Sequence, residues 1–570
     1  IIMKKIIYIS FITLSTIVMS CKSDYLDTEN LFEQSLETFY KTPTDINAAI
    51  AGVYNSLYVN GVHSNEHVAA NLLSDMMFAG GGPDDISAKN VDSFQDPGVD
   101  TYRDLWKATY DGVTRVNAIL AAVQNTDYST YFNSSAEADK FKAQIVGEAY
   151  FMRAFLYFRA AKFFGGVPLI LEVNDPRDVA RSSFKDTFSQ IASDLKIAIE
   201  TLPNNNQIGI TTSEYGHANK WVAQAYLGRV FLFYTGYMSN IEGSATSDLP
   251  LVEGGSLSST DVASYLQECI TSSGYSLTPD FRNLWPYSYV NESANSVVLP
   301  WADTESLAWV GQDGHSPTFG TGNNETMFSL RYSTTSWGEG QKYNNRVPLF
   351  FGIRDNSMVP YGQGWGWGTV NPVLWNSWDN ADPRKVGSII NLGDATQGTD
   401  SYQADKGDHE TGYFNKKYTT IQHDGADGVR GMFYYLYNQI NGDPMQLWAA
   451  QDFIYMRFAD VLLMHSEITE TATGLNLVRQ RATLPPVAYS LDAIKEERLH
   501  EFAFEGIRWF DIVRWGDVNS AFNGSINVRN SGVDATYNVI YRADTKGLLP
   551  IPETEINLSN KVYNQNPGWE

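Results

Sequence analysis

The strongest constraint on the fold is a run of helical stripes, the clearest of which lies between Ala143 and Phe164. Ile145, Ala149, Met152 and Leu156 recur there at three- and four-residue steps, one face of an α-helix, and Gly165-Gly166 followed by Pro168 stops it. Thr44 to Tyr58 repeats the pattern with Ile46, Ile50, Val53 and Leu57. Trp221, Ala225, Gly228 and Leu232 form a third stripe whose small residues let a neighbouring helix approach closely. Ser183 to Leu202 reads as the antiparallel partner of the 143–164 helix. Helical order returns at Asp452–Glu470, Asn476–Ala482 and Ser490–Trp515, the last with Ser490 as N-cap and Asp492 in its first turn. Along it, Glu505, Arg508, Asp511 and Arg514 stand three apart, a salt-bridge pattern rather than an active site.

Paired antiparallel helices with small contact residues predict a mainly α chain, a tetratricopeptide-like stack of helical pairs. The texture changes between about 274 and 444, where Gly, Asn, Asp, Ser, Trp and Tyr predominate. No charged or low-complexity linker separates this part. The reading is therefore a single domain over 21–570, with a helical scaffold at about 40–273 and 445–520 and a loop-rich insertion at about 274–444.

With 570 residues, 43% hydrophobic and 19% charged, the chain can build a large core. Its formal charge of −24 and lack of a basic stripe exclude nucleic acid as a partner. At the N-terminus, Lys4 and Lys5 precede an apolar run, Ile6 to Met19, too short for a persuasive membrane span. The run ends in Val18-Met19-Ser20-Cys21, which resembles a bacterial lipobox. Residues 1–20 then read as a signal peptide and Cys21 as the lipidated first residue of the mature chain, anchored through several acyl chains. The other cysteine, Cys269, is left without a disulfide partner and reads as a small buried apolar residue.

Five segments in order resemble the SusD/RagB family of outer-membrane nutrient-binding lipoproteins. They are GEAYFMRAFLYFRAAKFFGGVPLI (147–170), RFADVLLMHSEI (457–468), LNLVRQRA (475–482), EERLHEFAFEGIRWFDIVRWG (496–516), and LLPIPETEI (548–556) with QNPGW (565–569). The resemblance spans nearly the whole mature chain. It implies a lipid-anchored protein on the extracellular face of the outer membrane, with four tetratricopeptide-type helix pairs. Such a protein packs on a SusC-like TonB-dependent transporter and captures an oligo- or polysaccharide, or in some relatives a peptide. The motif residues themselves, Arg153, Arg457, Glu497, Glu501 and Trp509, read as scaffold.

Ligand residues then belong in the loops. In GQGWGWGTVNPVLWNSW (362–378), Trp365 and Trp367 alternate with glycine. An indole offers an apolar face to the C–H patch of a sugar ring, and glycine lets backbone approach a ligand closely. The alternative is that these rings pack beneath their own loop, and Trp375 and Trp378 lean that way. In LLSDMMFAGGGPDDISAKN (72–90), Asp75, Asp84 and Asp85 can accept hydroxyl donors. They could instead hold a structural Ca²⁺, although they lack EF-hand spacing; no other cofactor is expected. Tyr332, Trp337 and Arg384 complete the ligand candidates.

No catalytic residues are expected. His409-Glu410 lacks the second histidine of a zincin, no Gly-x-Ser-x-Gly elbow occurs, and no motif marks a carboxylate pair for glycoside hydrolysis. The remaining alternatives are a peptide-binding importer lid, a glycoside hydrolase, or a lid without ligand affinity.

Overall fold

The computed structural model describes residues 39–570 except 60–65, 96–99, 177, 206–215, 282–283, 286–290, 294–295, 299–323, 333–342, 344, 355–360, 362–363, 395–405, 420–421, 425–429, 433–450 and 523. Its scaffold consists of helices α1 (Pro43–Tyr54), α2 (Glu66–Leu72), α3 (Arg103–Asn125), α4 (Ser135–Phe164), α5 (Phe184–Thr201), α6 (Lys220–Asn240), α7 (Ser259–Ser272), α8 (Phe458–Thr469), α9 (Thr473–Arg481), α10 (Leu491–Glu501) and α11 (Arg508–Arg514). Four pairs pack in succession: α1 on α3, α4 on α5, α6 on α7, and α8 on α9. Further contacts between α3 and α4, α5 and α6, and α7 and α8 join the pairs into one stack. The fold is mainly helical and tetratricopeptide-like.

Local chemistry sets the helix ends. Thr42 and Asp45 form a reciprocal capping box at α1, and the hydroxyls of Ser134, Ser183 and Ser490 accept the first free amides of α4, α5 and α10. Gly165 closes α4 at φ 75°, a left-handed conformation that favours glycine. The small residue in the α6 stripe also has its expected use. A Cβ on Gly228 would stand 2.9 Å from Leu266 of α7, so the two helices could not approach this closely with alanine there. Cys269, in α7, is buried, and burial pushes its thiol up to about 12.

Ion pairs bind the stack internally. On α4 and α5, Arg153 grips Asp194 with two hydrogen bonds of 2.7 and 2.8 Å. Around Arg457 lies a larger lattice. Arg384, Lys417, Arg457, Arg479 and Arg481 meet Glu325, Asp382, Glu497, Glu501 and Glu505, five cations against five carboxylates. Burial favours the neutral forms, but opposite charges at contact distance outweigh it: Arg457 is held more basic than usual and Glu501 far more acidic.

The long helix expected over 490–515 is in fact two. Phe504 and Gly506 adopt left-handed φ of 64° and 74°, ending α10 and restarting the chain as α11. The break turns Glu505 into Arg457 and Lys417, away from Arg508. Of the three expected intrahelical pairs, Asp511–Arg514 forms, at 2.9 Å, while Arg508 reaches across the fold to Asp75.

The loop-rich middle carries short strands that tie it back to the N-terminal half. β1 (Met77–Gly80), β2 (Thr326–Leu330), β3 (Trp367–Val370), β4 (Ile389–Asn391), β5 (Tyr413–Asn415) and β6 (Phe453–Arg457) include one antiparallel four-stranded sheet in the order β1-β3-β5-β4. β2 pairs with β6. No helix among the described residues is long and apolar enough to cross a membrane.

Candidate functional site

β1 and β3 bring together the two loops that the sequence marks separately. Met77 faces Val370, Phe78 faces Thr369 and Gly80 faces Trp367; beyond the strands, Gly81 N donates to Gly366 O at 2.8 Å. The 72–90 loop and the tryptophan loop therefore share one rim.

Asp84 is exposed on that rim. Asp85 accepts Gly82 N at 2.6 Å and meets Arg354 Nη1 at 3.4 Å. The same guanidinium donates to Trp365 O at 2.9 Å, so Arg354 fixes the backbone of the tryptophan loop. Lys89 donates to Gly82 O at 2.9 Å and to Asp408 at 2.7 Å, bracing the glycine turn from below. Trp365 is half-buried, its ring tilted against Phe350 at 5.0 Å and Trp367 at 5.8 Å. The Arg346 guanidinium lies over both Phe350 and Trp365, at 5.3 and 5.7 Å, and burial lowers its pKa. One aromatic surface, two guanidiniums and two carboxylates thus converge, a set able to stack on a ring and exchange hydrogen bonds with hydroxyls.

Several expected contacts are corrected by their burial. Trp367 is 2% exposed and stacks on Phe350 at 5.4 Å, because it enters β3 and faces the core; its ring is not available to a ligand. Arg384 is 0% exposed, held by Asp382, Glu497 and Glu501 in the lattice. Asp75 is taken by Arg508 through two hydrogen bonds of 2.8 and 2.7 Å. Tyr332 is buried behind Tyr58 in edge-to-face contact at 5.6 Å. Trp337 lies outside the described residues. The three loop aspartates do not gather as a calcium cage, since Asp75 and Asp85 each face an arginine. Among the described residues no cluster of His, Cys, Asp or Glu is placed to hold a metal.

The glycines are also explained differently. A Cβ on Gly364 would fall 2.1 Å from Gly352 O, and Gly366, at φ 76°, would set one 2.8 Å from Arg354 Cβ. They let the loop lie on its own scaffold rather than on a ligand. Gly364→Ala should therefore cost about 1–3 kcal/mol from overpacking. A denaturation midpoint equal to wild type would refute that role.

A second concavity, of about 340 Å³, lies between α1 and β2 and is lined by Tyr54, Asn55, Tyr58, His217, Arg331 and Tyr343. Its back wall is anchored by buried Glu148, which meets His217 Nδ1 at 2.6 Å and accepts Tyr54 OH at 3.0 Å. Sequence reasoning missed it. The signal was the Tyr54/Tyr58 pair one helical turn apart, beside the apolar stripe of α1.

Comparison with known proteins decides the family. Residues 324–569 match the model described as SusD family, and residues 24–232 the model described as starch-binding associating with outer membrane. The chain belongs to the SusD/RagB family. Among curated SusD-like relatives, one from Formosa agariphila is 24% identical, covering 98% of this chain and 99% of its own. Another, from Bacteroides ovatus, is 23% identical over 88% of this chain and 81% of its own. Among solved SusD-type structures, a laminarin binding SusD-like protein matches with a TM-score of 0.69 at 24% identity, covering 93% of this chain and 100% of that one. Surface glycan-binding protein A from Bacteroides thetaiotaomicron, in complex with laminarihexaose, matches with a TM-score of 0.67 at 19% identity, covering 92% and 99%. At such identity these structures establish a shared SusD fold.

Proposed function

We propose that this SusD-family chain is a surface glycan-binding lipoprotein without catalytic activity. It captures an oligo- or polysaccharide and delivers it to a SusC-like TonB-dependent transporter. In this reading residues 1–20 are a signal peptide, residues 21–570 form one domain, and lipid on Cys21 holds the protein at the extracellular face of the outer membrane. The ligand residues are Trp365, Asp84 and Asp85, with Arg354 positioning the loop. The observation that carries the reading is the joining of the two loops by β1 and β3, which sets the half-buried Trp365 on the same rim as the exposed Asp84 carboxylate. A SusD-like protein described as laminarin binding and a surface glycan-binding protein solved in complex with laminarihexaose support it.

A sugar face covering about 100 Å² of the ring at ~25 cal/mol per Å² gives roughly 2.5 kcal/mol before ordering costs. Trp365→Ala should therefore weaken glycan binding about 10- to 50-fold in isothermal titration, with the fold intact. Trp367→Ala should instead destabilise the protein by about 3–5 kcal/mol, as loss of a large core ring does. Equal binding by wild type and Trp365→Ala would move the site elsewhere, and retention of peptides but no glycan would make the protein a peptide lid. New reducing ends on incubation with polysaccharide would make it a hydrolase.

A further inference from the structure

Arg346 differs from most arginines of the core. Arg153, Arg229, Arg384, Arg457, Arg498 and Arg514 each contact a carboxylate within 3 Å. Arg346 is half-buried, yet among the described residues no carboxylate stands within ion-pair distance, and its buried Nε has no hydrogen-bond partner. Its contacts are with the faces of Phe350 and Trp365. A guanidinium stacked on aromatic rings keeps its in-plane N–H donors, which point outward around its edge. A charge partly withdrawn from water with those donors unspent is costly, and a planar or tetrahedral oxyanion answers it with two parallel hydrogen bonds.

The neighbouring cation adds to this. Arg354 spends one hydrogen bond on Trp365 O and sits 3.4 Å from Asp85, a looser pair than those of the core. Two guanidiniums therefore flank Trp365, on a chain whose overall charge of −24 would otherwise repel an anion. Local positive charge beside a stacking ring is the arrangement for a sugar that carries negative charge on a substituent.

We propose that the Trp365 face selects an acidic glycan, whose carboxylate or sulfate ester is bound by Arg346 while the sugar ring rests against Trp365. This rests on the reading of the Trp365 face as the glycan site and adds the class of glycan. Uronate and sulfate present the same oxyanion chemistry to a guanidinium fork, so the test separates them.

The probes are tetragalacturonate, a sulfated galactotetraose and neutral cellotetraose, titrated at millimolar concentration into the mature protein. The variants are Arg346→Gln and Trp365→Ala. The Arg346 side chain makes no hydrogen bond among the described residues, so Arg346→Gln should keep the wild-type circular dichroism, with a thermal midpoint lowered only slightly by loss of the contacts with Phe350 and Trp365. The wild type should bind at least one acidic tetramer about tenfold or more tightly than the neutral one, and Arg346→Gln should lose about 10- to 100-fold on that probe only. Preference for one acidic probe over the other names the substituent. The proposal is overturned if no acidic tetramer binds, if the neutral one binds as tightly, or if Arg346→Gln keeps the preference. Neutral binding that Trp365→Ala weakens and Arg346→Gln leaves alone would sink this inference while leaving the glycan site standing. Binding untouched by Trp365→Ala would sink both.

Discussion

Arg457→Met is expected to cost about 3–5 kcal/mol, enough to make folding of the whole chain marginal. Arg457 donates to Glu505 Oε2 at 2.9 Å and to Glu325 Oε1 at 2.6 Å, and it also pairs with Glu501. All three carboxylates are buried. Methionine fills much of the volume, so little of the loss comes from packing. The loss comes from charge, because five carboxylates would then face four cations: Arg384, Lys417, Arg479 and Arg481. Burial already lowers the pKa of Lys417 to about 8, so the remaining lattice has little positive charge to spare. Restoring the balance supplies the decisive comparison. Adding Glu505→Gln to Arg457→Met returns the lattice to four against four, and the double variant should recover stability relative to Arg457→Met alone. A double variant less stable than Arg457→Met would mean that geometry, not charge balance, governs these buried pairs. Denaturant midpoints of the three proteins decide it.

That lattice also shows what could be read from the chain before folding. Ile145, Ala149, Met152 and Leu156 announce a helix because their partners lie within a few turns, and the N-cap at Ser490 is equally local. The motif arginines Arg153 and Arg457 were legible as scaffold through family resemblance. The tryptophan loop was not legible in detail. Trp365 and Trp367 have the same glycine neighbours, yet one reaches the surface and the other the core. What separates them is the pairing of β3 with β1, nearly 300 residues earlier in the chain, and the packing of Phe350 beneath both rings. Arg384 fails for the same reason: it lies in a polar loop segment, but Glu497 and Glu501, 113 and 117 residues away, bury it. Asp75 meets Arg508 across a separation of 433 residues. A carboxylate in a glycine-rich loop carries no local mark of whether a distant guanidinium will claim it.

Acidification from about pH 6.5 to pH 4.5 is expected to destabilise the protein by several kcal/mol. His67 is 2% exposed, with edge-to-face contacts to Phe453 and Tyr418 at 4.4 and 4.7 Å, and burial lowers its pKa to about 3. His500 stacks on Trp378 at 4.4 Å; burial first, and then the Arg384 guanidinium, lower it to about 3 as well. In the unfolded chain both would titrate near 6.5. Between about pH 6.5 and about pH 3 the unfolded state therefore binds protons that the native state refuses. Stability falls as pH falls through that window, by up to about 1.4 kcal/mol per unit for each histidine. At pH 4.5 the two together cost about 5 kcal/mol. Asp92 acts in the opposite sense. Burial raises it to about 7, so the native state takes its proton first and gains stability on acidification between about pH 7 and the ordinary aspartate range. It returns about 3 kcal/mol at pH 4.5, leaving a net loss to which His409, lowered to about 4 chiefly by burial, adds. His500→Gln isolates one contribution, because glutamine takes up no proton in either state. Its stability profile between pH 6 and 4.5 should be shallower than wild type by about 1.4 kcal/mol per unit. Parallel profiles would mean that His500 protonates freely in the folded protein, so that its stack on Trp378 does not exclude the charge.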